Sequence, residues 1–203
     1  MIMVGQLNFD KLPKLDGFPT SGIMQVFVSG SDWSDTGSGD TVKVVYPEKI
    51  SNKTQGINIA RTTLAELEDG YFPIRGVYYP TATLEEQGIN VACADYCDEL
   101  VKYLNKYFKT TWKSWADIPR QVNDLIWELM PSGYAGCRVG GHPYFTQYDV
   151  REANRGLDVL LLQLDSEGGM MWGDCGVANF FTTKASLKSK KFDKNVLYTW
   201  DCC

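Results

Sequence analysis

The residues able to do chemistry are few. His142 is the single histidine, which excludes His-x-x-x-His metal motifs and any centre that needs two imidazoles. One nucleophilic arrangement remains: Cys175, in the turn Gly173-Asp174-Cys175-Gly176, activated by His142. It requires two turns distant in sequence to meet. The plainer reading is a small buried cysteine and a histidine packed on a turn, since spacing alone does not specify the pair. Asp149, Arg151, Asp165 and Asp174 flank turns that would converge near Gly140-Gly141. Two carboxylates with an arginine suit general acid-base work or an ion-pair network, and sequence leaves both open.

Metal chemistry fits less well. Cys93 and Cys97 are four apart and Cys202-Cys203 are adjacent, whereas zinc sites use pairs at spacings such as Cys-x-x-Cys. Asp32, Asp35 and Asp40 suggest calcium, but an EF-hand loop begun at Asp32 has Ser34 and Lys43 where it needs acids, so the segment reads as a solvated hairpin loop. No metal and no cofactor is expected. The chain has no P-loop, no Gly-x-Ser-x-Gly, no dinucleotide fingerprint after a strand and no kinase set.

The elements that position these residues follow from periodicity. Val159 to Leu164 is an unbroken aliphatic run apart from Gln163, and Val177 to Phe181 and Val196 to Tyr198 follow beyond a Gly-rich turn. Such runs, bounded by turn residues, suit strands covered on both faces. Met1 to Phe9, Ile23 to Val28 and Thr41 to Tyr46 read as strands at the other end, and Tyr71 to Tyr79 as an edge strand because of Pro73. Asp95 to Phe108 is a helix with Tyr96, Leu100, Leu104 and Phe108 on one face. A second runs from Ile118 to Met130, capped by Asp117, with Pro119 in its first turn and Ile118, Val122, Leu125, Ile126 and Leu129 as the buried stripe. Gly56 to Leu67 is ambiguous, and Lys184 to Lys194 reads as a solvated connection.

The two ends echo each other. Gln6 matches Gln163, Gly22 matches Gly176 and Tyr46 matches Tyr198, with the flanking strands in the same order. This is the signature of a duplicated β-unit. The expected fold class is α+β, mostly antiparallel, with the β-unit at the N- and C-termini and two central helices. The chain reads as a single domain, 1–203, of two pseudo-repeats (about 1–50 and 139–203) around a central α/β region, 56–133.

Composition supports one sizeable core: 203 residues, 44% hydrophobic and 13% aromatic, with six Trp and eleven Tyr. A formal charge of -5 argues against a surface that tracks phosphates, so nucleic acid is not an expected partner. No apolar run approaches the roughly 18 residues of a membrane span, and Met1 to Val4 lacks the basic and apolar regions of a signal peptide. The expectation is a cytoplasmic protein with reduced cysteines and no membrane partner.

The segment Gly140-Gly141-His142-Pro143-Tyr144-Phe145-Thr146-Gln147-Tyr148-Asp149-Val150-Arg151 is the most idiosyncratic in the chain. With Leu160 to Ser166, Trp172 to Phe181, Leu197 to Cys203, Gly5 to Phe9 and Gly17 to Phe27, it resembles the YwqG-like family of bacterial proteins. That resemblance implies a duplicated α+β protein and supplies no reaction. Some relatives lie beside genes for secreted toxins, which implies an antitoxin-like or immunity-like binding role. Relatives carry a Gly-Gly-x-Pro segment ahead of the first Gln-bearing strand, whereas Met1 stands inside that strand here.

Two functions follow as expectations. The first is a non-enzymatic binding domain with a protein partner, anchored by Tyr144, Phe145, Tyr148, Met171 and Trp172, with Gly140, Gly141, His142, Pro143, Gln147 and Gln163 around them. The second is an unrecognised hydrolase-like enzyme using the Gly140-to-Arg151 and Trp172-to-Cys175 turns, with His142, Asp149, Arg151, Asp174 and Cys175 as its candidate groups. A deep pocket holding His142, Asp149 and Asp174 favours the enzyme and a flat aromatic patch the binder.

Overall fold

Alternating and aliphatic runs fold into two three-stranded antiparallel sheets in a computed structural model, which describes residues 1–47, 72–89, 91, 93–129, 135–153, 156–192 and 194–203. The first sheet orders β1 (Ile2–Asn8), β2 (Ile23–Val28) and β3 (Val42–Val45), and the second β4 (Val159–Asp165), β5 (Val177–Thr182) and β6 (Val196–Asp201). Between them lie α1 (Tyr96–Phe108) and α2 (Arg120–Leu129), and α3 (Lys184–Ser189) joins β5 to β6. The chain is an α+β fold with sheet units at both ends.

The two sheets are built in one register. β1 carries a bulge between Met3 and Gly5, and β4 a bulge between Leu160 and Leu162. A bulge turns consecutive residues toward one face, so Leu161 and Leu162 both enter the core. Gln6 stands opposite Gln25 as Gln163 stands opposite Asn179, and Phe27 lies between Met3 and Lys43 as Phe181 lies between Leu160 and Leu197. Even the exits agree, because Phe9 N donates to Gly22 O (2.9 Å) and Ser166 N to Gly176 O (3.2 Å). The anchors Gln6/Gln163 and Gly22/Gly176 therefore coincide. The third does not: Val44 pairs with Val26 as Tyr198 pairs with Phe180, so Val44 is the counterpart of Tyr198, and Tyr46 lies beyond β3. A slip of two residues keeps a side chain on the same face, and pattern matching cannot see it.

Both sheets feed one core: Met24, Val26, Val28, Val42 and Val44 from the first unit meet Leu161, Leu162, Leu164, Phe180 and Tyr198 from the second. The equivalent bulge positions touch, since a Cβ on Gly5 would lie 2.7 Å from Leu162 Cδ2. One unit supplies the leucine and the other the space. Gly5→Val should therefore cost about 1–3 kcal/mol by overpacking. Leu162→Ala should couple to it favourably in a urea-denaturation double-mutant cycle, and a coupling of zero would reject the contact.

The loop between β2 and β3 is more than a solvated hairpin. Gly37 bridges Tyr198, the Tyr198 hydroxyl donates to Trp33 O (2.9 Å), and Trp200 Nε1 donates to Ser34 O (2.9 Å). Residues 72–79 form no strand; only Ile74 bridges, to Met170, because Pro73 removes a ladder donor. Lys184 to Lys194 contains α3, with the Thr183 hydroxyl accepting from Ser186 N (3.0 Å) and Leu187 and Phe192 buried.

The central helices close on a small core of Val101, Leu104 and Ile118 with Leu100, Trp112, Trp115, Val122 and Ile126. The expected stripes are only half buried, because Phe108, Leu125 and Leu129 face solvent. A pair of helices has one buried seam, narrower than the full stripe a larger core would cover. Asp117 does not cap α2; its Oδ2 accepts from Lys113 N (2.8 Å) and Ser114 N (3.1 Å) in the short 3-10 turn before it. Gly56 to Leu67 lies outside the described residues, as does Pro131-Ser132-Gly133, a sequence expected to end the second helix. Among the described residues no helix is long and apolar enough to cross a membrane.

Candidate functional site

β4, β5 and β6 offer a second face, away from the shared core, and it carries polar residues. The register sets Gln163, Asn179 and Thr199 in one row across it and Leu160, Phe181 and Leu197 in another. Buried amides need partners. The chain supplies them by laying 136–151 over this face. Gln163 Oε1 accepts from Tyr144 N (2.8 Å) and its Nε2 donates to Gly136 O (2.7 Å). Asn179 Nδ2 donates to Tyr144 O (2.8 Å). Asp201 Oδ2 accepts from Thr146 N (2.8 Å) and Gln147 N (2.7 Å), and Asp165 Oδ2 accepts from Gly136 N. Phe145 packs on Leu160, Phe181 and Leu197. At the sheet's edge Arg138 pairs with Gln163 through both backbone groups (2.8 and 3.0 Å).

This strap explains the glycines. Gly140 and Gly141 have φ of +71° and +72°, and a Cβ on Gly140 would lie 2.5 Å from Leu15 Cδ2. The motif is thus a fitted backbone path, which Gln87 closes by accepting from His142 N (3.2 Å).

At the strap's far end Asp149 and Arg151 form a closed pair. The guanidinium reaches both carboxylate oxygens (2.5–3.0 Å), Asp149 Oδ2 also accepts from Ala94 N (3.0 Å), and Arg151 lies over the Phe181 ring at 5.5 Å. Burial opposes charge on Asp149, but the Arg151 side chain and the Ala94 and Arg151 amides outweigh it and hold the carboxyl below its ordinary value. Burial, with Asp201's partners opposing only in part, raises the Asp201 carboxyl. His142 is half-buried and held below the usual imidazole range, by burial first and then by Arg151.

The strap thus gathers Gly140, Gly141, His142, Pro143, Tyr144, Gln147, Asp149, Arg151 and Gln163 on one sheet face. Asp174 and Cys175 lie elsewhere, exposed on the hairpin turn, with Cys175 in the left-handed region at φ +57°. No hydrogen bond among the described residues joins His142 to Cys175 or to Asp174. Asp149 is committed to Arg151 and to the helix entry, which makes the Asp149-Arg151 group an ion pair. Of the expected anchors, Phe145 and Trp172 are core residues, Trp172 being fully buried against Trp33 and Tyr198. Tyr148 and Met171 are exposed and Tyr144 half-buried. Among the described residues no cluster of three His, Cys, Asp or Glu could hold a metal ion. Burial raises the Cys97 thiol and pushes Cys137 up to about 12.

Sequence reasoning missed two features. Asn179 and Asp201 fasten the strap as firmly as Gln163 does, and their signal was the polar residue inside Val177 to Phe181 and the acid ending β6. The larger omission is on the helix pair, where Tyr103, Tyr107, Phe108, Leu125, Trp127 and Leu129 are all more than half exposed.

The family described as a domain of unknown function (DUF1963) matches residues 1–202, and the chain belongs to that family. No curated protein matches it.

Proposed function

We propose that this protein is a non-enzymatic protein-binding domain of the bacterial cytoplasm, YwqG-like within its family, whose partner docks on the helix pair α1-α2. The observation that carries the reading is the apolar surface of that pair. Phe108 is 69% exposed, Leu129 73% and Trp127 55%, and Tyr103 and Tyr107 lie with ring centroids 4.4 Å apart. Rigid aromatic side chains concentrate interface energy at low entropic cost. Exposed Tyr148 and Met171 extend the set of anchors on the strap and the hairpin turn.

The rival enzymatic reading has less to draw on. Its carboxylate Asp149 is neutralised by Arg151, and Asp174 and Cys175 sit on an open turn. An immunity-like role is the version of this proposal that the family's toxin-linked relatives favour.

The test is affinity capture from the native host, with neighbouring gene products assayed as partners. A partner held by the wild type should lose at least about tenfold in affinity to a Tyr107→Ser, Phe108→Ser, Trp127→Ser triple variant that melts normally. Unchanged capture by that variant would remove the helix pair as the docking surface.

A further inference from the structure

The duplicated register marks a second site on the opposite unit. β1 is the edge of the first sheet, as β4 is of the second. Because Phe9 N bonds Gly22 O, the alternation of an antiparallel ladder makes Gln6 opposite Gln25 a pair without mutual backbone bonds. The N–H and C=O of Gln6 therefore point out of the sheet. Its counterpart Gln163 points the same two groups outward and gives both to Arg138. Gln6 has no such partner among the described residues. Above the edge the side chains repeat the theme: Gln25 Nε2 donates to Gln6 Oε1 (2.8 Å), and Gln6 is exposed, whereas buried Gln163 and Asn179 hold the strap backbone at Tyr144 and Gly136. The row Met3, Phe27 and Lys43 occupies the place of Leu160, Phe181 and Leu197, which Phe145 covers. Met3 is 36% exposed and Phe27 only half-buried.

Charge carries over at one of two positions. In the second unit Arg138 lies in the field of Asp165 and Glu167. In the first unit the matching positions are Asn8 and Asp10, and the Asp10 carboxylate is exposed and holds Gly22 N (3.0 Å).

We propose that the open edge of β1, with the Gln6-Gln25 amide pair above it, binds one extended polypeptide segment of a partner protein, antiparallel to β1, with a basic residue opposite Gln6 and an aromatic one over Met3 and Phe27. The molecule carries its own copy of such a ligand as residues 138–145 on β4. Edge pairing supplies affinity through backbone bonds, and the amides, Asp10 and the Met3-Phe27 surface supply selection. This site is separate from the helix pair and stands or falls independently of it.

The probe is a fluorescein-labelled synthetic peptide with the sequence of residues 136–145, Cys137 replaced by serine, titrated into the whole protein while backbone amides are followed by NMR. Saturable binding below about 1 mM is expected, with shifts and exchange protection at the Gln6 and Asn8 amides. The protein variant Gln6→Ala/Gln25→Ala and a peptide with its arginine changed to glutamate should each weaken binding at least about tenfold. No saturation would overturn the proposal, as would shifts confined to β4 or equal binding by either variant. A free protein that is already dimeric with its Gln6 amide protected would overturn it too, since the edge would then belong to a second copy.

Discussion

Asp149→Ala should destabilise the fold by about 3–5 kcal/mol, because it strands a guanidinium in a site built for a pair. The side chains are 2% and 12% exposed in Asp149 and Arg151, so water cannot replace the lost carboxylate. The Ala94 amide loses its acceptor at the same stroke, and with it goes the tie between the strap and the entry of α1. For a chain of this length that amounts to a fall of roughly 10 °C in Tm. Asp149→Leu/Arg151→Met should be much milder, since removing both charges leaves neither uncompensated. The pH dependence has a definite sign. The folded Asp149 carboxyl lies below its ordinary value, so its contribution is present above the unfolded pKa of about 3.9 and is lost as pH falls through the folded one. Acidification should therefore close part of the gap between wild type and Asp149→Ala in urea melts. Equal stabilities at neutral pH would show that the pair contributes nothing.

The contrast between local and distant pairing explains what could be seen in the residues beforehand. Ile23 to Val28 and Val159 to Leu164 declare themselves because strand character is a property of neighbours: β-branched and aliphatic side chains bounded by Gly and Pro. Gly140-Gly141-His142-Pro143 was legible as a constrained turn for the same reason. What the turn is for was not legible. The side chains that fasten the strap around it, Gln163, Asn179 and Asp201, lie up to 55 positions from the backbone groups they bind, and a lone amide in a strand does not name the loop it will hold. Asp149 and Arg151 suit either acid-base work or an ion pair in sequence, and the Ala94 amide on the same carboxylate, 55 positions upstream, is what ties them to structure. Phe108 and Leu125 failed differently: they obey helical periodicity, and periodicity assigns a face without saying whether anything covers it. Trp172 was the reverse case, an expected surface anchor that Trp33 and Tyr198 enclose.

Gln163→Ala should cost about 3–5 kcal/mol, while Gln6→Ala, at the equivalent position of the first sheet, should stay within about 0.5 kcal/mol of wild type. The two residues share a register and differ in what lies above them. Gln163 is fully buried, and its amide is the partner of both Tyr144 N and Gly136 O. Truncation leaves two desolvated backbone groups without that partner, at about 1–3 kcal/mol each, and a cavity besides. Gln6 is exposed, and among the described residues its amide bonds only Gln25, so water replaces what the substitution removes. Hydrogen exchange separates this explanation from a general loosening of the core. In Gln163→Ala the Tyr144 amide should lose protection well before amides of β5, whereas in Gln6→Ala neither should change. Matching losses in the two variants would mean that the first sheet also holds a buried strap, and the open edge inferred for β1 would then be closed.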